Sequence, residues 1–228
     1  MSEITSFLIE IGCEEIPARF LEGAERDLSE RLRTALGAAL LCSQDSMAVR
    51  TNSTPRRLVA YVPELWSKQQ DRVEEVIGPP VKAAFDKEGK PTRAAESFAA
   101  KNNAKVSDLK RVTTAKGEYL ALEVSKAGKP ALQVLVEVLP SVLASMTFPK
   151  NMYWTAKAGP LFVRPIRWIL ALLGDGSDFE VIPFEFAGVK SGNLTYGHRF
   201  EGNRPLAITD LNLDLFLDDH FFFVHGAE

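Results

Sequence analysis

The sequence is short of the residues that most metal and covalent chemistry needs. Its two cysteines, Cys13 and Cys42, cannot build a zinc site alone and lack paired-motif spacing. The three histidines, His198, His220 and His225, do not fall at ligand-like intervals. There is no Gly-x-x-x-x-Gly-Lys-Ser/Thr phosphate loop, dinucleotide fingerprint, Gly-x-Ser-x-Gly elbow or His-Glu-x-x-His pair. No apolar run approaches the length needed to cross a bilayer; residues 168–173 are among the longest. The opening Met1-Ser-Glu-Ile-Thr-Ser lacks a basic stretch followed by a long apolar core, so no secretory signal is expected. A cytoplasmic protein with reduced thiols and no membrane association is expected. The formal net charge of −3 argues against a uniformly basic nucleic-acid coat but leaves room for a local basic face.

What is present suits a globular chain. Apolar residues make up 46% and charged residues 25% of the 228 positions. At that length a chain buries about 70% of its unfolded surface without staples. Residues 7–11 read as a buried strand, followed by Glu14, Glu15 and Pro17 at a helix start. Leu21, Ala24, Leu28, Leu32, Ala35, Leu36, Ala39 and Leu40 recur at helical spacing. Residues 47–51 and 58–62 read as two strands joined by an Asn52-Ser-Thr-Pro55 turn, completing β-α-β-β. Gly78-Pro-Pro80 is expected to break the chain, and residues 94–102 to form a short helix. Residues 111–113 and 118–124 suggest a hairpin.

A second amphipathic helix begins near Ala131, and Pro140 within it predicts a kink or a break. Residues 167–173 and 179–187 read as strands around the Gly174-Asp-Gly176 turn. Residues 188–204 read as loop and short strand, and 209–218 as a last helix. The apolar run Phe221-Phe-Phe-Val224 begins a strand with no visible partner, as expected of a fragment of something longer. These elements predict an α+β fold of mixed and antiparallel sheets packed with a few amphipathic helices. The body is expected at 1–75 and 110–228, as one or two sub-domains, with a small helical insertion at 76–109.

Charge distribution says more than net charge. No acidic residue lies between Glu137 and Asp175. That stretch holds Lys150, Lys157, Arg164 and Arg167, interleaved with Phe148, Tyr153, Trp154, Phe162 and Trp168. A second acid-free stretch, 46–63, holds Arg50, Arg56 and Arg57. Cations among aromatics suit phosphate contact with base stacking. The same pattern suits aromatics that fill a core with cations at its edge. Arg164 and Arg167, fixed around Pro165, either form a preorganised anion site or pair with Asp and Glu. Glu14 and Glu15 point to opposite faces if extended, which suits helix-end electrostatics better than acid–base chemistry. Gly197-His-Arg-Phe200 either presents His198 and Arg199 from a turn or is a plain loop.

Taken in order, several segments resemble one family. They are Phe7-Leu-Ile-Glu-Ile-Gly-Cys-Glu-Glu-Ile-Pro-Ala18, Thr54-Pro-Arg-Arg-Leu58, Gly78-Pro-Pro80, Phe162-Val-Arg-Pro-Ile-Arg167 and Gly197-His-Arg-Phe200. The Lys87-Glu-Gly-Lys-Pro-Thr92 loop and Thr114-Ala-Lys-Gly-Glu118 hairpin fit too. Together they resemble the N-terminal region of the β subunit of bacterial glycyl-tRNA synthetase. The resemblance implies an α2β2 glycine–tRNA ligase whose α subunit binds glycine, ATP and Mg2+, with no cofactor in this chain. It implies a β subunit that supports binding of tRNA(Gly) and assembly, with later HD-like and anticodon-binding domains absent here. The region is also similar in fold to an editing module of the phenylalanyl-tRNA synthetase β subunit, but no editing nucleophile is recognisable. Arg167 stands where the family often has His or another residue. Arg56, Arg57, Lys150, Arg164, Arg167, His198 and Arg199 are the candidate tRNA- or subunit-contact residues, with phosphate positioning as their role. A hydrolytic editing-like domain and a purely structural subunit-docking domain are the alternatives.

Overall fold

The computed structural model describes residues 3–43, 47–86, 90–114, 117–154, 159–197, 204–209 and 211. The chain forms an α+β structure of two compact units: residues Met1–Gln69 with Lys129–Glu228, and the insertion Gln70–Gly128.

The larger unit is built on a seven-stranded sheet. β1 (Ile4–Cys13) lies near its middle, antiparallel to β3 and β9 on its two sides. Alternation divides its side chains between the two faces. Phe7, Ile9, Ile11 and Cys13 enter the main core; Leu8 enters a smaller cluster on the other face. α1 (Ala18–Ala38) follows, and Ala24, Leu28, Leu32 and Leu36 form its buried stripe at four-residue spacing. Pro17 is its N-cap residue, so the helix starts just after the proline, and no side chain caps it.

β2 (Arg50–Thr54) and β3 (Arg57–Trp66) form the expected hairpin, but displaced from the sequence reading. Asn52 and Ser53 lie in the strand, and the turn is Pro55-Arg56, because Thr54 pairs with Arg57. Burial of Leu58, Ala60 and Val62 on one face fixes that register.

The insertion differs from the helical piece expected at 76–109. Its frame is a three-stranded antiparallel sheet, β4 (Arg72–Pro80), β5 (Lys110–Thr114) and β6 (Gly117–Lys126), in the order β4-β6-β5. The 110–126 hairpin, assigned to the body from sequence, belongs here because β6 pairs with β4. Gly78, Pro79 and Pro80 lie in the strand instead of breaking it. The register shifts between Ile77 and Pro80, and β4 is an edge strand, where a proline's missing N–H is tolerated. α2 (Val81–Ala84) and α3 (Arg93–Lys101) supply Ala84 and Ala95, which cluster with Leu120 of β6.

The chain returns to the larger unit at α4 (Ala131–Ser145). The helix continues through Pro140 without a break, held by buried Leu139, Val142 and Leu143 around the proline. β7 (Met152–Tyr153) and β8 (Leu161–Phe162) make a short hairpin of their own. β9 (Ile166–Asp175) pairs with β1, and β10 (Asp178–Val181) folds back onto β9. β11 (Glu185–Phe186) and β12 (Val189–Gly192) complete that edge, β12 running parallel to β9. β13 (Leu194–Tyr196) and β14 (Pro205–Ala207) form a separate ribbon. α1 and α4 share the main core with one face of the large sheet. The helix expected at 209–218 and the strand expected at 221–224 lie outside the described residues apart from Thr209 and Leu211.

Candidate functional site

The carboxyl end of β1 is where Arg56, Arg164 and Arg167, three of the sequence-selected arginines, come together. Backbone hydrogen bonds join three segments there. Cys13 N–H donates to Arg56 O at 2.8 Å, Glu14 N–H to Pro165 O at 3.1 Å and Ile16 N–H to Pro55 O at 2.6 Å. The β2–β3 turn and the 163–165 link are thus pinned to the residues that lead into α1.

The side chains follow. Arg164 Nε donates to the backbone oxygen of Glu15 at 2.7 Å, and Arg167 Nε donates to the Glu14 carboxylate at 2.7 Å. Of the two readings of the Phe162-Val-Arg-Pro-Ile-Arg167 motif, pairing with an acidic residue holds for Arg167. Arg167 is ion-paired, whereas Arg164 is anchored through Nε to a neutral carbonyl and keeps its charge. Arg56 is half-buried, and its Nε lacks a hydrogen-bond partner among the described residues.

Cys13 lies at the centre of this group. Burial pushes its thiol pKa up to about 12 and Glu14 adds to that, against the pull of Arg56, Arg164 and Arg57. Burial thus favours the protonated thiol at neutral pH.

Arg57 has a different place. It is only 5% exposed and turns into the second face of the large sheet. Its Nη2 donates to Tyr196 O at 2.6 Å, its Nη1 lies 3.7 Å from Glu10 Oε2, and its guanidinium stands 5.7 Å from the Trp168 ring centroid. Glu10 is fully buried and accepts from Trp168 Nε1 at 2.5 Å and from Thr195 Oγ1 at 2.7 Å. Burial raises its pKa, outweighing the opposing effects of Arg57, Thr195 and Trp168. Gly12 makes the arrangement possible. A Cβ there would fall 1.9 Å from the Trp168 indole. The Tyr196 ring covers the indole, centroid to centroid, at 4.8 Å. This polar cluster ties β13 to β1, β3 and β9. The candidate list omitted Glu10, Thr195 and Tyr196. The available signal was a carboxylate in the middle of the apolar run at 7–11.

Lys150 is exposed, two residues before β7. His198 and Arg199 lie outside the described residues. Of the interleaved aromatics, Phe162 and Trp168 are buried, and Phe148 packs on Phe162 at 5.0 Å. Tyr153 and Trp154 are exposed. Among the described residues, no group of three or more His, Cys, Asp or Glu side chains could hold a metal ion. No described helix is long and apolar enough to cross a membrane.

Comparison with known proteins gives the family. A family model described as glycyl-tRNA synthetase beta subunit matches residues 7–214. The chain is 45% identical over 206 residues to the glycine–tRNA ligase beta subunit of Acidobacterium capsulatum, covering 90% of this chain and 28% of that one. It is 43% identical over 203 residues to the beta subunit of Oleidesulfovibrio alaskensis, with coverage of 89% and 28%. It is 42% identical over 193 residues to that of Myxococcus xanthus, with coverage of 85% and 26%. The chain belongs to the glycyl-tRNA synthetase β-subunit family. It spans little more than a quarter of the length of these relatives.

Proposed function

We propose that this chain is the part of a glycine–tRNA ligase β subunit that helps hold tRNA(Gly) and contributes to assembly with the α subunit. In this reading an α2β2 enzyme in the cytoplasm glycylates tRNA, with ATP and Mg2+ bound by the α subunit. The residues here make no bonds; they position phosphates.

The observation that supports this reading is the anchoring of Arg164 and Arg56 at the end of β1. Three backbone hydrogen bonds hold their segments there, and Arg164 is aimed through Nε at a neutral carbonyl, with no ion-paired carboxylate among the described residues. Arginine held in this way suits bidentate phosphate contact. Arg57 and Arg167 serve the frame, through Glu10 and Glu14 respectively. A hydrolytic role gains no support from Cys13, whose thiol stays protonated at neutral pH.

The test is the affinity of the chain for tRNA(Gly) and a non-cognate tRNA at two salt concentrations, with α-subunit co-purification alongside. Salt-sensitive binding supports the reading. Co-purification with α but no tRNA binding at low salt replaces it with the docking alternative. Turnover of mischarged tRNA replaces it with the hydrolytic one.

A further inference from the structure

The β7–β8 hairpin carries apolar surface that the core does not use. Met152, Tyr153, Trp154 and Leu161 are 45%, 51%, 36% and 37% exposed. Tyr153 and Leu161 are cross-strand partners, so they share one face of the hairpin. Trp154 is fixed, because its indole N–H donates to Phe162 O at 2.9 Å. Phe162 itself is buried against Phe148 and Phe186, which anchors the hairpin to the main core. Two large aromatics are therefore held on a rigid base with much of their surface in water.

The electrostatic setting chooses between occupants. The hairpin lies within the acid-free stretch between Glu137 and Asp175. Lys150 precedes β7 by two residues and Arg164 follows β8 by two residues, so the antiparallel pairing puts both at the same end of the hairpin. Lys150 is exposed, and Arg164 keeps its positive charge while anchored to a carbonyl. Presentable aromatics flanked by cations, with no carboxylate in the stretch, match a single-stranded polyanion with stackable bases. A stacked base gains from every aromatic face, and the neighbouring phosphates supply the salt-dependent part.

We propose that the β7–β8 hairpin is a nucleobase-stacking platform: Tyr153 and Trp154 stack on unpaired bases of an RNA strand while Lys150 and Arg164 contact its flanking phosphates. This inference rests on the tRNA-binding reading above and places the contact on unpaired nucleotides instead of a duplex.

The probes are tRNA(Gly), a single-stranded oligoribonucleotide and a blunt RNA duplex of equal length. The variants are Tyr153→Ala, Trp154→Ala and Trp154→Phe, each checked for an unchanged far-ultraviolet spectrum. Tyr153→Ala guards against a folding effect, because no side-chain hydrogen bond fixes that ring among the described residues. The single strand is expected to quench the Trp154 emission, identified by difference from Trp154→Phe, and the duplex is not. Tyr153→Ala and Trp154→Ala are each expected to lose about tenfold in single-strand affinity, whereas Trp154→Phe retains most of it. Unchanged affinity in both alanine variants, with tRNA binding intact, overturns the platform and leaves the tRNA reading standing. Loss of α-subunit co-purification with RNA affinity unchanged makes the hairpin a protein-docking surface and also overturns it. Absence of any RNA binding by the wild-type chain at low salt removes both.

Discussion

Arg57 and Glu10 form a buried diagonal pair on adjacent strands, with Nη1 3.7 Å from Oε2. Both were taken out of water to hold β13 on the large sheet, Arg57 through the Tyr196 carbonyl and Glu10 through Thr195. The neighbouring Arg56 is half-buried at the strand end and takes no part in that cluster among the described residues. Two adjacent arginines in one motif thus divide into a structural residue and a binding candidate.

That division predicts a clear contrast. Arg57→Ala leaves a fully buried carboxylate without its counter-charge, which costs about 3–5 kcal/mol. Its urea or thermal midpoint falls sharply. Arg56→Ala leaves the midpoint nearly unchanged and weakens tRNA binding. A stable Arg57→Ala protein with impaired RNA affinity would reverse the two assignments.

Gly12→Ala drives a methyl group into the Trp168 indole, since the contact at 1.9 Å is with ring carbons hemmed in by Tyr196. The indole must shift away from Glu10. Overpacking of this kind costs about 1–3 kcal/mol, and the Trp168 emission moves with it. Wild-type stability and emission in Gly12→Ala would show that the ring has room.

Burial holds the folded-state pKa of Glu10 above its unfolded value despite Arg57. The folded chain therefore binds this proton more tightly than the unfolded chain. The contribution to stability is complete below the ordinary carboxylate range. It is lost as pH rises from the unfolded pKa of about 4.5 through the raised folded value. Glu10→Gln removes that slope. Urea melts of both proteins from pH 4 upward measure it; parallel curves would contradict the shift.

Burial raises both thiols, Cys13 to about 12 and Cys42 above its ordinary value. A chromogenic disulfide reagent at pH 7.5 is expected to react slowly with the native chain and to titrate two thiols in denaturant. Rapid stoichiometric reaction of Cys13 in the native chain would reopen a nucleophilic role.

α1, α3 and α4 were legible because their signals are local. The Leu28, Leu32, Leu36 stripe names its own buried face. The sheet that frames the insertion was not legible because it depends on pairing between β4 and β6, far apart in the chain, as Val73 with Ser125 shows. Its prolines looked like breakers, since an edge position is invisible in sequence. The acid-free stretch was legible as a pattern, but its aromatics divide only in three dimensions: Phe162 and Trp168 go inward, Tyr153 and Trp154 outward. Likewise Arg57 could not be separated from Arg56 until the register turned one of them toward Glu10.

The central claim is that Arg56 and Arg164, held at the end of β1, contact RNA phosphate. The measurement that tests it most directly is the salt dependence of tRNA(Gly) binding by the wild-type chain and by an Arg56→Gln, Arg164→Gln double variant. The account predicts weaker binding, with the slope of log affinity against log salt reduced by about two units if each arginine neutralises one phosphate. A folded double variant with the wild-type slope would contradict it.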